Sequence, residues 1–161
     1  MSSSYSNRAG LLEALHRALR ISTAQGAIFA EEVAKSAGIN STDMECLDIL
    51  YLHGPVTAGQ LAELTGLSTG AITGLVDRLE KAGYARRERD LDDRRKVIVH
   101  LNTEKARPNI GSLYGSMSQA MIDLHETYSN DELALVLDFI TRSGEVMHAE
   151  TAKLREKIAS R

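Results

Sequence analysis

Residues 56–84 read VTAGQLAELTGLSTGAITGLVDRLEKAGY. Leu61 and Leu64 predict a short helix with one apolar face, and Ala62 is small enough for a second helix to cross closely. Gly66 stands where the chain must turn, a position glycine fills without the left-handed penalty, and Leu67 follows as an apolar plug. Ser68 or Thr69 is placed to cap a second helix, on which Ile72, Leu75, Val76 and Leu79 fall at i, i+3, i+4 and i+7 before Gly83 closes it. Helix, glycine turn and helix with a small residue at the crossing is the helix-turn-helix arrangement; an unrelated helical hairpin is the plainer alternative. The face opposite the apolar stripe separates the two. Thr69, Gly70, Thr73, Gly74 and Asp77 make it small and hydroxyl-rich, with Arg78 further along. Small side chains let a helix lie deep in a major groove, and hydroxyls bond base edges or phosphates. Ser68, Thr69, Gly70, Thr73 and Arg78 are therefore the expected contacts of a recognition helix.

The next residues, 84–102, read YARRERDLDDRRKVIVHLN. Val97, Val99 and Leu101 alternate with Ile98 and His100, predicting a strand over 96–102 that pairs back to 84–90 across a polar tip at 90–94. A hairpin directly after a recognition helix is a wing. This one holds six basic side chains (Arg86, Arg87, Arg89, Arg94, Arg95, Lys96) against four acids. Arginine at such a tip can enter a minor groove, and Asp93 is placed to pair with Arg95 and fix its direction. Solubilising charge on a strand edge is the alternative.

That local excess of +2 sits in a chain of 161 residues whose net charge is −3, so the sum alone would argue against a nucleic-acid partner. The length supports one domain, or a domain with an appended arm, and 43% hydrophobic with 25% charged residues is a globular balance. No apolar run reaches membrane-spanning length, and MSSSYSNRAGLLEALHR lacks the basic-then-apolar order of a secretory signal. A cytoplasmic protein is expected. The single Cys46 excludes an intrachain disulfide and fits a reducing compartment. The five histidines (16, 53, 100, 125 and 148) show no close ligand pair, and no nucleophile–base grouping is present. Neither enzyme activity, metal nor cofactor is expected.

Outward from the centre the chain reads as long helices. Leu11, Leu12, Leu15, Leu19, Ile28, Phe29 and Val33 fall largely at helical spacings, with a stop at Gly38. Ser41-Thr42-Asp43 opens a second helix that ends at Gly54-Pro55. Beyond the wing, Ile110, Leu113, Tyr114, Met117, Met121, Leu124 and Tyr128 predict one helix face, and Asn130-Asp131 a new cap. Leu133, Leu137, Ile140, Met147, Leu154 and Ile158 then form a heptad seam, interrupted only by Gly144 and Thr151. A seam this long, with apolar stripes near the other terminus, favours packing on a second copy, although an ordinary helix on its own domain would show similar spacing. The expected organisation is a helical dimerisation arm (1–40), a winged helix-turn-helix (41–102) and a helical dimerisation region (103–161). The fold class is mainly α with a small β-wing.

In LVDRLEKAGYARRERD (75–90) and DRRKVIVHL (93–101) the sequence resembles the MarR (multiple antibiotic resistance regulator) family of bacterial transcription factors. The first motif is generic to winged helices; the second, directly after it, is specific. The resemblance implies a homodimeric regulator, a repressor, bound to an imperfect DNA palindrome. Ser68, Thr69, Thr73 and Arg78 would face the major groove, and Arg94 or Arg95 would be the minor-groove arginine. It also implies release by a phenolic or other small anion, for which His16, Arg17, Arg20, Tyr51 and His53 are the candidate polar groups. A redox branch of the family oxidises a cysteine near the start of the first helix; here the thiol is Cys46, between Met44 and Leu47, where inert core is the commoner role. A winged-helix interaction module without DNA is the remaining alternative. The chain departs from the family after the last wing strand, where Leu101-Asn102-Thr103 replaces the usual Leu-Thr pair and Pro108 interrupts the next helix.

Overall fold

A computed structural model describes residues 7–90, 93 and 96–160, in two compact units divided between Leu113 and Tyr114. The first is built around the helix-turn-helix. Thr57 caps α3 (Ala58–Thr65) through a reciprocal pair: its Oγ1 accepts from Gln60 N, and Gln60 Oε1 accepts from Thr57 N at 2.8 Å. Gly66 takes the left-handed conformation, φ 75° and ψ 13°, and donates its N–H to Ala62 O. Ser68 caps α4 (Thr69–Ala82), accepting from Ala71 N. Ile72, Leu75, Val76 and Leu79 are fully buried, as the spacing predicts, and Leu61 meets them from α3. Each such side chain contributes roughly 1.5–3 kcal/mol by leaving water. Leu64, expected on the same buried face as Leu61, is instead partly exposed.

The wing is β2 (Ala85–Arg89) paired antiparallel with β3 (Val97–Leu101), with Arg87 opposite Val99 and Arg86 opposite His100. A third strand, β1 (Val56–Thr57), joins the far side of β3 with Val56 opposite Val99. Two residues are too few for alternation to mark this strand in the sequence. Directly opposed residues share a face, so Val56, Ala85, Arg87 and Val99 lie on one side of the sheet, and Arg86, Glu88, Ile98 and His100 on the other.

Two helices precede this body. In α1 (Arg8–Ala37) only the end near Val33 and Ala34 is buried, against α2 (Ser41–His53). The cap of α2 is Asn40, whose Oδ1 accepts from Asp43 N at 2.8 Å, one residue before the expected start. Met44, Cys46, Leu47 and Leu50 carry α2 into the core. Tyr84, after the Gly83 cap of α4, donates its hydroxyl to Ala37 O. After β3, Asn102 donates to Gly83 O, and α5 (Thr103–Asn109) lays Lys105 Nζ 5.4 Å from the Tyr84 ring centroid.

The single helix face expected from Ile110 to Tyr128 is divided. The short α5 holds Pro108 in its last turn, a 3-10 turn spans Gly111–Tyr114, and α6 begins only at Gly115 (Gly115–His125). Proline cannot donate its backbone bond, and glycines at 111 and 115 weaken helix on either side of the turn. In the second unit α7 (Asn130–Ala159) follows α6, capped by Ser129 and Glu132 rather than by Asn130 or Asp131. Leu137, Ile140, Met147, Leu154 and Ile158 lie exposed along it, and Leu133 is half-buried.

Candidate nucleic-acid interface

Ser68, Thr69, Gly70 and Thr73 are all exposed at the start of α4, on the side opposite its buried stripe. The Thr73 hydroxyl donates back to Thr69 O at 3.0 Å, which leaves its oxygen lone pairs outward. At a helix N-terminus the first N–H groups lack intrahelical partners, so this end offers donors to an anion as well as hydroxyls to bases.

The arginines of the site are distributed in a way their spacing in sequence did not reveal. Arg78 lies against α2, not outward alone. Its Nε and Nη2 donate to Asp43 Oδ2 and Oδ1 at 3.1 and 2.6 Å. The Asp43 side chain is 3% exposed and that of Arg78 52%. Hydrogen bonding to Asp43 raises the Arg78 pKa, so the guanidinium stays charged throughout the physiological range. An open concavity of about 520 Å³, lined by Gly38, Asn40, Asp43, Arg78 and Lys81 among others, flanks the pair. In the sequence Asp43 carries only the signal of a helix-opening residue, and the 35-residue separation from Arg78 carries no local signal.

Arg87 reaches from β2 to the flank of α4. Its Nη1 donates to Asp77 Oδ1 at 2.5 Å and Glu80 Oε2 at 2.6 Å, and its Nη2 to Thr73 O at 2.9 Å. The Arg87 backbone N–H also donates to Glu80 Oε1 at 2.7 Å. Partial burial opposes the Arg87 charge, but the hydrogen bonds it donates to Asp77 and Glu80 outweigh that and its pKa rises. On the other face of the sheet Arg86 pairs with Glu88. His100 Nε2 is buried and lies 3.0 Å from Glu88 Oε2, yet has no hydrogen-bond partner among the described residues. Burial lowers the His100 pKa and the facing Arg86 lowers it further. Glu88 would favour the charged ring, but its carboxylate is already held by Arg86, so burial prevails.

Arg89 and Lys96 are exposed at the outer end of the wing. The turn there is closed by Asp93 N donating to Asp90 Oδ1 and Lys96 N to Asp93 O. Arg94 and Arg95, the expected minor-groove arginines, lie outside the described residues. His16, Arg17 and Arg20 are exposed on α1, and Tyr51 and His53 are exposed at the end of α2. A shallow concavity of about 480 Å³ on α1 takes in Arg17 but none of the other four. Cys46 is fully buried; burial, with the Asp43 charge added, pushes its thiol up to about 12. At neutral pH it is therefore a thiol and a poor nucleophile, which weighs against a redox role.

Fold and exposed face together define a winged helix-turn-helix transcriptional regulator. The MarR family profile matches residues 39–97. YcgE, an HTH-type transcriptional regulator of Bacillus subtilis, is 40% identical over 129 residues, spanning 80% of this chain and 83% of its own. The HTH-type transcriptional regulator MgrA of Staphylococcus aureus is 27% identical, spanning 75% of this chain and 78% of its own. Among solved structures, a MarR family protein from Bacillus stearothermophilus shares the fold with a TM-score of 0.66 at 22% identity, covering 88% of this chain and 99% of its own. A transcriptional regulator from Thermotoga maritima gives 0.61 at 25% identity, covering 87% and 98%. The chain belongs to the MarR family. Its fold and relatives are those of regulators, not of enzymes. Among the described residues no helix is long and apolar enough to cross a membrane.

Proposed function

We propose that this protein is a homodimeric repressor, acting in the cytoplasm, that binds an imperfect DNA palindrome. The observation that carries the reading is the exposed hydroxyl-and-glycine face at the start of α4, set beside a wing with Arg89 and Lys96 outward. Residues 68–73 read base edges, and the wing and the α4 N-terminus hold phosphates. Arg78 and Arg87 have carboxylate partners inside the molecule, so they shape the interface more than they extend it. The apolar stripe of α7, exposed in the single chain, supports a second copy packed along residues 133–158. Two recognition helices then enter successive major grooves roughly 34–36 Å apart. Release by a small anion rests on family membership; Arg17 and Arg20 on α1 are its candidate cations.

Replacing Thr73 by alanine tests the base-reading face. The duplexes selected by the variant from a random pool should differ at one or two positions per half-site, with discrimination there reduced by roughly 1 kcal/mol. An unchanged profile would remove Thr73 from the reading face.

A further inference from the structure

Carboxylates beside a DNA-facing helix repel phosphates, and α4 carries two beside its outward face. Asp77 is one turn beyond Thr73 on the same stripe and its side chain is 61% exposed; Glu80 follows three residues later. One guanidinium, from Arg87 on β2, bonds both carboxylates and the Thr73 carbonyl oxygen. This cation therefore lies along the edge of the reading face, with its hydrogen bonds directed to α4 instead of outward. We propose that Arg87 is a positioning residue that masks Asp77 and Glu80, so that phosphates can approach α4 without repulsion. The inference rests on the DNA-binding reading above. It gives the arginine excess of the wing two uses: Arg89 and Lys96 face outward, and Arg87 cancels acid within the molecule. A masking role differs from a direct phosphate contact and from a mechanical tie between wing and helix.

A thermodynamic cycle separates the three. The probe is a duplex that the wild-type protein enriches from a random-sequence pool, with affinity read by anisotropy at several salt concentrations. Arg87→Met should weaken binding on the order of tenfold at low salt, the loss shrinking as salt screens the uncovered acids. Arg87→Lys keeps the charge and should retain most of the affinity. The double variant D77N/E80Q removes both charges but keeps an acceptor oxygen for the Arg87 groups; it should bind more tightly than the wild type at low salt. In that background Arg87→Met should give up the gain yet still bind no more weakly than the wild type, because no acid is left uncovered. Binding by the triple variant far below that of the wild type would make Arg87 a direct contact and overturn the proposal. Weakening by D77N/E80Q as severe as that by Arg87→Met would overturn it in favour of a mechanical tie. Should Arg87→Met fail to fold, Arg87→Gln, which loses the charge but keeps hydrogen-bond donors, takes its place in both backgrounds. Failure of the wild-type protein to enrich any duplex is a separate result, and it removes the DNA-binding reading itself.

Discussion

Asp43 and Arg78 form an ion pair whose two halves differ in solvation, and the difference has a measurable consequence. Asp43 is nearly inaccessible, whereas half of the Arg78 side chain meets water. Removing the arginine strands a buried carboxylate, while neutralising the aspartate leaves a guanidinium that water can still solvate. Arg78→Ala should therefore destabilise the fold by about 2 kcal/mol, discounted from a fully buried pair because one partner is exposed. Asp43→Asn, which keeps an acceptor oxygen, should cost clearly less. Urea denaturation of both variants checks the order, and equal losses would contradict the asymmetry. Single residues were the least legible scale in the sequence. The expected exposure of Ser68, Thr69, Gly70 and Thr73 follows from helical periodicity alone, and the structure shows it. Which carboxylate each arginine meets depends on tertiary contacts 7 to 35 residues apart, for which spacing offers no rule. Arg86 and Arg87 add to the charge excess of the wing in the sequence; in the folded chain both are paired with carboxylates.

Elements were far easier to read than pairings. The two helices of the central motif, the Gly66 turn and the wing strands follow from apolar period and glycine placement, and their edges agree to within a residue or two. Reading failed where an element was too short to have a period, as in β1, or where backbone chemistry overrode side-chain pattern, as at Pro108. The wing also holds the titration of most interest. Burial and Arg86 hold the His100 imidazole below its ordinary value of 6.5. A group whose folded pKa is depressed stabilises the fold above its unfolded value, and that contribution is lost as pH falls through the folded value. Stability should thus decline from about pH 6.5 downward, with part of the decline assignable to this ring. His100→Gln should flatten the denaturation midpoint between pH 7.5 and 5.5 relative to the wild type, since all other acid-titrating groups are shared. An identical slope in both proteins would mean that the ring does not carry that linkage.

At the scale of the whole molecule, the chain buries its core around α2, α3, α4 and the sheet while leaving the long apolar stripe of α7 in contact with solvent. Leu137 and Ile140 lie in the first half of the expected seam, 68% and 51% exposed in the single chain. A charge placed there would be desolvated on association, so Ile140→Glu should shift sedimentation from dimer to monomer with the winged body still folded. A dimer that survives the substitution would move the interface elsewhere. The overall charge of −3 does not oppose DNA binding, because it is a sum over the whole chain, whereas Arg89 and Lys96 stand exposed at the outer end of the wing. It does imply modest, strongly salt-dependent non-specific affinity, so in the proposed dimer discrimination would come from groove contacts and from the pairing of two copies. The most direct measurement is therefore selection of bound fragments from source genomic DNA by the wild-type protein at moderate salt. The account predicts enrichment of one imperfect palindrome whose half-site centres lie roughly 10 base pairs apart. Recovery of fragments with no shared sequence, or of none above background even at low salt, would contradict it.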